Sequence, residues 1–453
     1  MPYDGEFAQY KPLHRLAESE RVKALIGQYR VRTRSSDLSS AVLLTMADVQ
    51  PSTWMPDLVL AVDGSYNLVE VKNGFPGAEA AYVTVASVLI DTAKMRQLDQ
   101  QRPVDPQEFR TIEKTGSTDC ALPSCNIVFE GEQSVKDSFR RAFFEILQNE
   151  QMLPGGETLL ATYEALLKHK SLTQDQQCPC EECPLPSAKY QRSQGRYTCT
   201  CKFSHSLYST DALRFHELLE PEGRNGGIIG EVMQVLERLQ VINILRTLEA
   251  KGWLSTLQRL AIVLDGPLAV FGQPAWLSQA VYHELCRIND IAKEAYGCQD
   301  MLIIGIEKTG QFVDHLSSLD RDEDGKTGLF PKQRAGLLTD IYIKRNIIYS
   351  QGEKLYGAAS YFGRKFFYKT SSGALIVASL PFLAASHKET TRAEVFQFPR
   401  LTDAMSILDQ LISSRYANAL APLIAAHAEA SIPANLGNKI LKDLAKKLMQ
   451  EAK

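Results

Sequence analysis

Two acids stand where short apolar runs give out. Leu58-Val-Leu-Ala-Val62 leads into Asp63-Gly64-Ser65, and far along the chain Leu260-Ala-Ile-Val-Leu264 leads into Asp265-Gly266-Pro267. Runs this short, closed by Asp-Gly, read as strands ending in turns, which predicts a carboxylate at each strand tip. Two carboxylates on two strand ends invite a divalent metal. A second set of ligand types is Cys178-Pro-Cys180-Glu-Glu-Cys183 followed by Cys199-Thr-Cys201. These five thiols lie in two knuckle-like loops, four are enough for tetrahedral zinc, and His205 is a substitute for one of them. The expected role is structural. Cys120 and Cys125 read as loose thiols, and Cys286 and Cys298 as ordinary helix and loop cysteines.

A third feature is basic. Glu307-Lys308-Thr-Gly310, Ile343-Lys344-Arg345-Asn346 and Tyr361-Phe-Gly-Arg364-Lys365-Phe366 mix cations with glycines and aromatics, a composition suited to phosphate contact and base stacking. Lys308, Lys344, Arg345, Arg364 and Lys365 are therefore candidates for contacting DNA. The same composition also describes a solvated face.

The elements that must position these groups follow from periodicity. Residues 57–91 read as three short strands in a meander, preceded by helical patterns over 17–27 and 36–48. The polar stretch 99–124 reads as loop. Ser134-Val-Lys-Asp137 resembles a capping box and predicts a helix to about Glu150, with another over 157–168. Residues 173–207, rich in Cys, Pro, Gln and Ser, have no period and read as an insertion. The strongest helical pattern runs from Ile228 to about Ala250, apolar on most of its circumference, and predicts a helix buried between layers. A strand over 260–264, a helix over 274–295, a strand over 301–306, strands at 366–369 and 374–379, and helices near 402–415, 417–430 and 436–451 complete the reading.

A meander, helix, strand, helix, strand and C-terminal helix in that order predict an α/β layer on a mixed sheet. The order resembles the ribonuclease H-like fold. That resemblance implies acids on the first strand, on the helix after the meander, at the end of the fourth strand and on a late helix. Asp63 and Asp265 fill the strand positions. Glu237 lies on the row Met233, Glu237, Val241, Ile244, Leu248, which sets a carboxylate inside an apolar stripe facing the sheet. Glu231 is the alternative, in a row that also contains Arg238. On the late helix, His427 falls on the row Tyr416, Leu420, Leu423, His427.

With these words in hand the chain resembles the NurA family of nucleases over most of its length. The words are Val62-Asp-Gly-Ser65, the segment from Gly74-Phe-Pro-Gly77 to Asp91, the helix around Glu237, Val263-Leu-Asp-Gly-Pro-Leu268, and Arg415-Tyr416 leading to Ala426-His427. Pro267 departs from the serine of many members and leaves the carboxylate intact. The resemblance implies a ribonuclease H-like fold, cleavage of DNA with manganese or magnesium, and work beside a HerA-like hexameric ATPase. Asp63 would be the bridging metal ligand, Glu237 or Glu231 and Asp265 the flanking ones, and His427 a ligand or the group orienting water. A histidine nitrogen in the set favours Mn²⁺ over Mg²⁺. A non-catalytic DNA-binding adaptor of the same ATPase is the competing expectation.

Composition bounds the rest. With 453 residues, 44% hydrophobic and 23% charged, the chain can bury a large core, and a net charge of −3 decides nothing about nucleic acid. No stretch approaches the roughly 20 apolar residues of a membrane span, and the first residues lack the blocks of a signal peptide, so a cytoplasmic location is expected. The expected organisation is a helical lead over 1–50 that could dock a partner, then a nuclease domain over 51–453 carrying the 173–207 insertion. Since the chain contains no GxxxxGK[ST] loop, a motor would have to be a partner. A homodimer capping the ATPase ring, in DNA end processing or anti-phage defence, is what the resemblance implies.

Overall fold

A computed structural model describes residues 10–29, 43–71, 77–97, 113–170, 178–179, 183, 195–199, 205–322, 324–412 and 420–431. The chain divides into two compact units, Met1–Leu43 and Leu44–Lys453. The division falls before the expected 50 because Thr45–Met46 is a strand of the main sheet, where a helix was expected. Two residues cannot display a period. In the first unit, helices Lys11–Glu18 and Glu20–Gly27 bury none of their residues.

The second unit is built on a nine-stranded sheet. Its strands are β1 (Thr45–Met46), β2 (Leu58–Glu70), β3 (Glu79–Asp91), β4 (Glu113–Pro123), β7 (Leu260–Asp265), β8 (Leu302–Glu307), β9 (Arg334–Leu337), β10 (Gly363–Lys369) and β11 (Leu375–Pro381). β5 (Arg196–Thr198) and β6 (Ser206–Tyr208) form a separate hairpin. The sheet order is β1-β9-β10-β11-β8-β7-β2-β3-β4. β2, β7 and β8 are parallel, β2-β3-β4 is an antiparallel meander, and β8 to β11 to β10 to β9 to β1 adds an antiparallel wing. The meander, crossover strand and second crossover strand are those of the ribonuclease H-like expectation.

Both faces of the sheet are covered. Leu60 and Val62 point into a cluster with the helices Val135–Asn149, Leu159–Leu167, Gly226–Ala250 and Leu277–Tyr296, whereas Val59 and Ala61 point into one with Leu401–Leu411 and Ala421–Ala430. The continuous apolar run of β2 is what a strand buried on both faces requires. The predicted helix starts are present too: Ser134 accepts the Asp137 amide at 3.0 Å, and Thr158 caps the next helix.

Three expectations fail for physical reasons. β2 does not end at Asp63 but runs through Asp63-Gly64-Ser65 to Glu70, paired to β3 throughout, so 57–91 holds two long strands rather than three short ones. The meander's third strand is β4, within the stretch read as loop. It is an edge strand whose alternation shows only towards its end, where Thr118, Cys120 and Leu122 turn inward and Ser117, Asp119 and Ala121 are exposed. Within the mixed region up to Tyr368, β9 and the helices Gln311–Leu319 and Asp340–Asn346 had no sequence signal strong enough to separate them. The expected helix 436–451 lies outside the described residues.

Candidate active site

Asp63 is 1% exposed, at the register point where β2 loses one neighbour. The parallel pairing with β7 ends at Val62–Leu264, while the antiparallel pairing with β3 continues. Beyond Val62 the β7 side of β2 is therefore open to side chains. Gly64 uses that opening: its amide lies beside the carboxylates of Asp63 and Glu237 and favours their charged forms. A glycine is required there, because a Cβ would stand 2.7 Å from Met233 Cγ and 2.8 Å from Glu237 Oε1. The Asp-Gly pair is thus a close approach between strand and helix, not a turn.

Glu237 enters from the Gly226–Ala250 helix, 4% exposed, with Oε2 2.8 Å from Arg238 Nη1. Burial, together with the charges of Asp63 and Asp265, pushes its carboxyl up to about 8 in spite of Arg238. Asp63 is raised as well, by burial first and by Asp265 second. Arg238 was not singled out as a positioning group, yet it binds the turn after β7 through the carbonyls of Asp265 (3.3 Å), Pro267 (3.0 Å) and Ala269 (3.4 Å). One guanidinium therefore fixes both the helix acid and the turn that follows Asp265. The signal for it was an arginine directly after an inward glutamate on a helix buried all round.

Lys308, just past β8, reaches both strand acids, with Nζ 3.0 Å from Asp265 Oδ1 and 3.6 Å from Asp63 Oδ2. His427 closes the cluster: its Nδ1 is 3.2 Å from Asp63 Oδ2. The helix that carries it, Ala421–Ala430, packs on β2 and β3 and buries Leu423 and Ala426. The ring itself is 57% exposed, so it lies at the rim of the cluster rather than on the apolar face that its row suggested. Asp63, Glu237, Asp265 and His427 thus converge. Glu231 does not join them: it packs under Gly272, and its Oε2 is buried with no hydrogen-bond partner among the described residues.

The basic candidates scatter. Lys308 belongs to the acid cluster. Arg364 is 3% exposed and donates to the carbonyls of Glu389, Leu338 and Arg392, with Phe398 beneath it. Lys365 is also buried, paired to Glu307 at 2.8 Å and covered by Phe312. Alternation along β10, hidden on both faces, turns Arg364 and Lys365 into interior cations rather than the exposed phosphate surface expected of them. Lys344 pairs with Asp340 at 3.0 Å and Arg345 is exposed.

In the insertion, Cys178, Cys183 and Cys199 bring their Sγ atoms within 4.8 Å of one another. Cys199 Sγ is 3.9 Å from each of the other two, close to the ~3.8 Å edge of a tetrahedron with ~2.3 Å zinc–sulfur bonds. His205 Nε2 lies 2.7 Å from Cys178 Sγ. Cys180 and Cys201 lie outside the described residues.

The strand order and the acids at the open edge of β2 define an α/β protein of ribonuclease H-like design. The NurA domain matches residues 201–432, and the chain belongs to the NurA family, whose members are nucleases. The crystal structure of the NurA nuclease from Sulfolobus solfataricus is similar over 98% of this chain and 98% of its own, at 11% identity and a TM-score of 0.36. No curated protein matches the chain. Among the described residues no helix is long and apolar enough to cross a membrane.

Proposed function

We propose that the protein is a divalent-metal-dependent DNA nuclease that hydrolyses phosphodiester bonds, with Asp63, Asp265 and Glu237 as metal ligands and His427 as a further ligand or water-orienting group. The observation that carries the reading is the convergence of Asp63 and Asp265 on one cation, Lys308, beside a third buried carboxylate. The donor set fits Mn²⁺ or Mg²⁺: three carboxylates are hard oxygen ligands, and one imidazole adds a borderline nitrogen. When bound, a pair of such ions activates water and stabilises the leaving oxygen of the phosphodiester.

The chain's own residues do the rest. The Gly64 amide beside Asp63 and Glu237 favours their charged forms, and Arg238 keeps the Asp265 turn against the helix. His427, bonded through Nδ1 to Asp63, leaves its other ring nitrogen on an exposed ring, where it can orient a water or take its proton. Lys308, beside the acids, and Arg345, on the exposed surface, are the basic candidates placed to meet phosphate.

We further propose one structural zinc per chain on the Cys-rich insertion, drawn from Cys178, Cys183, Cys199, Cys180, Cys201 and His205. The partner in this reading is a HerA-like hexameric ATPase, capped by a nuclease homodimer in end processing or phage defence. Exposure of Tyr10, at the start of the first helix, and of Pro12, Leu13 and Leu16 on it supports that segment as the docking element.

The test is cleavage of labelled DNA in Mn²⁺ with a chelator control. Asp63→Asn is expected to lower the rate by about a thousandfold, ~4 kcal/mol of barrier. A variant that cuts at the wild-type rate ends the assignment, and a protein inert in every metal turns it into the adaptor. Elemental analysis tests the zinc: about one equivalent is expected, and a chain free of zinc after purification without chelator overturns it.

A further inference from the structure

Among the described residues, Lys308 is held where a metal would compete with it. Its ion pairs in the structure are to Asp265 and Asp63, the two strand acids, and it approaches from the open side of β2. Asp63 has a side-chain exposure of 2%, so a divalent cation seeking its Oδ2 must come by the route that Lys308 and His427 already line. An ammonium held against these oxygens occupies the approach that a metal ion needs to reach them, so in a half-buried site the lysine and an incoming ion compete by position as well as by charge. The lysine can leave: its side chain is 31% exposed, on a flexible four-carbon stem. Gly310, two residues on with φ of 106°, starts the next helix in a conformation open to glycine, which separates Lys308 from a rigid element on that side.

We propose that Lys308 and the divalent metal compete for the Asp63–Asp265 pair, and that the displaced ammonium turns to a phosphate of the DNA strand. The lysine neutralises the acids until the metal takes over that task, and the freed charge then serves the substrate beside the newly loaded centre. Metal and DNA binding are thereby coupled, and the coupling is reciprocal by linkage. This inference rests on the nuclease reading for the identity of the metal and the substrate.

Three measurements on the full chain test it, none of them a rate. Calorimetric titration of Mn²⁺ without DNA is expected to show binding about tenfold tighter to Lys308→Met than to wild type, within the usual 5–150-fold span of coupling. Fluorescence anisotropy with a phosphorothioate oligonucleotide is expected to show that Mn²⁺ tightens DNA binding by wild type several-fold more than by Lys308→Met. Thermal unfolding of the variant shows that it is folded, and Lys308→Gln serves if the methionine variant is not. Equal or weaker Mn²⁺ binding by the folded variants overturns the proposal, as does an equal gain in DNA affinity. If instead Asp63→Asn/Asp265→Asn binds Mn²⁺ as wild type does, the metal site itself is misassigned. If Mn²⁺ binding and coupling are as expected but no DNA is cut, the nuclease reading fails and the lysine exchange stands.

Discussion

At the β9-β10-β11 end of the sheet each buried lysine has its own acid, Lys365 with Glu307 at 2.8 Å and Lys369 with Asp320 at 2.6 Å. Where β2 and β7 part, three carboxylates share one lysine and one arginine, and two of the three are pushed up in pKa. The first arrangement is charge-balanced and closed over, Lys365 by the Phe312 ring and Asp320 by the bond from the Phe330 amide. The second is crowded with like charge and half open. A fold keeps balanced pairs for its own sake, whereas crowded acids are kept at a stability cost for what they do.

The same kind of substitution should then have opposite effects in the two places. Asp320→Asn strands the buried Lys369 and also weakens the bond from the Phe330 amide, so it is expected to cost about 3 to 5 kcal/mol in denaturant unfolding. A loss below about 1 kcal/mol would mean that the wing is not held by its pairs. Gly64→Ala is next: its methyl would press on Met233 and Glu237, costing about 1 to 3 kcal/mol and displacing the helix acid, so activity should fall together with the melting temperature.

The pH dependence sharpens the contrast. Glu237 ionises near 4.3 when unfolded but only near 8 in the fold, so the folded chain holds a proton that the unfolded chain has lost. Its contribution is fully present below the unfolded value and is lost as pH rises through about 8. With chelator present, the melting temperature should fall between pH 5 and 8, a slope of at most ~1.4 kcal/mol per pH unit from this one group. Glu237→Gln should flatten it; an unchanged slope would assign the titration elsewhere. The smallest expected effect has the opposite sign to Asp320→Asn: Asp63→Asn should raise stability by about 0.5 to 1 kcal/mol while removing activity. A large destabilisation instead would make Asp63 part of the framework.

Much of this was legible in the sequence. Long, strongly patterned elements such as the Gly226–Ala250 helix and β7 were fixed by their own apolar spacing, and Glu237 followed from its row. The reading failed where a residue's meaning depends on a distant neighbour. Asp63-Gly64 has the letters of a turn, and only the approach of Met233 and Glu237 makes that glycine a strand residue. Arg364 and Lys365 have the letters of a surface, and the wing covering both faces of β10 makes them interior. Lys308 was singled out for phosphate, but its pairing to both strand acids depends on β8 lying next to β7, which no local pattern reveals.

The register of Asp63 has one more consequence, for how the site comes apart. The segment 59–62 is hydrogen-bonded between two strands, and such amides exchange with solvent only when the whole domain opens. The Ala421–Ala430 helix is a ten-residue element laid against the sheet, and elements of that kind open locally at lower free energy. On gentle warming, deuterium should enter around His427 long before it reaches Asp63. The acid half of the site would then outlast its imidazole, and activity would be lost to a small, quickly reversible opening well below the temperature at which the sheet melts.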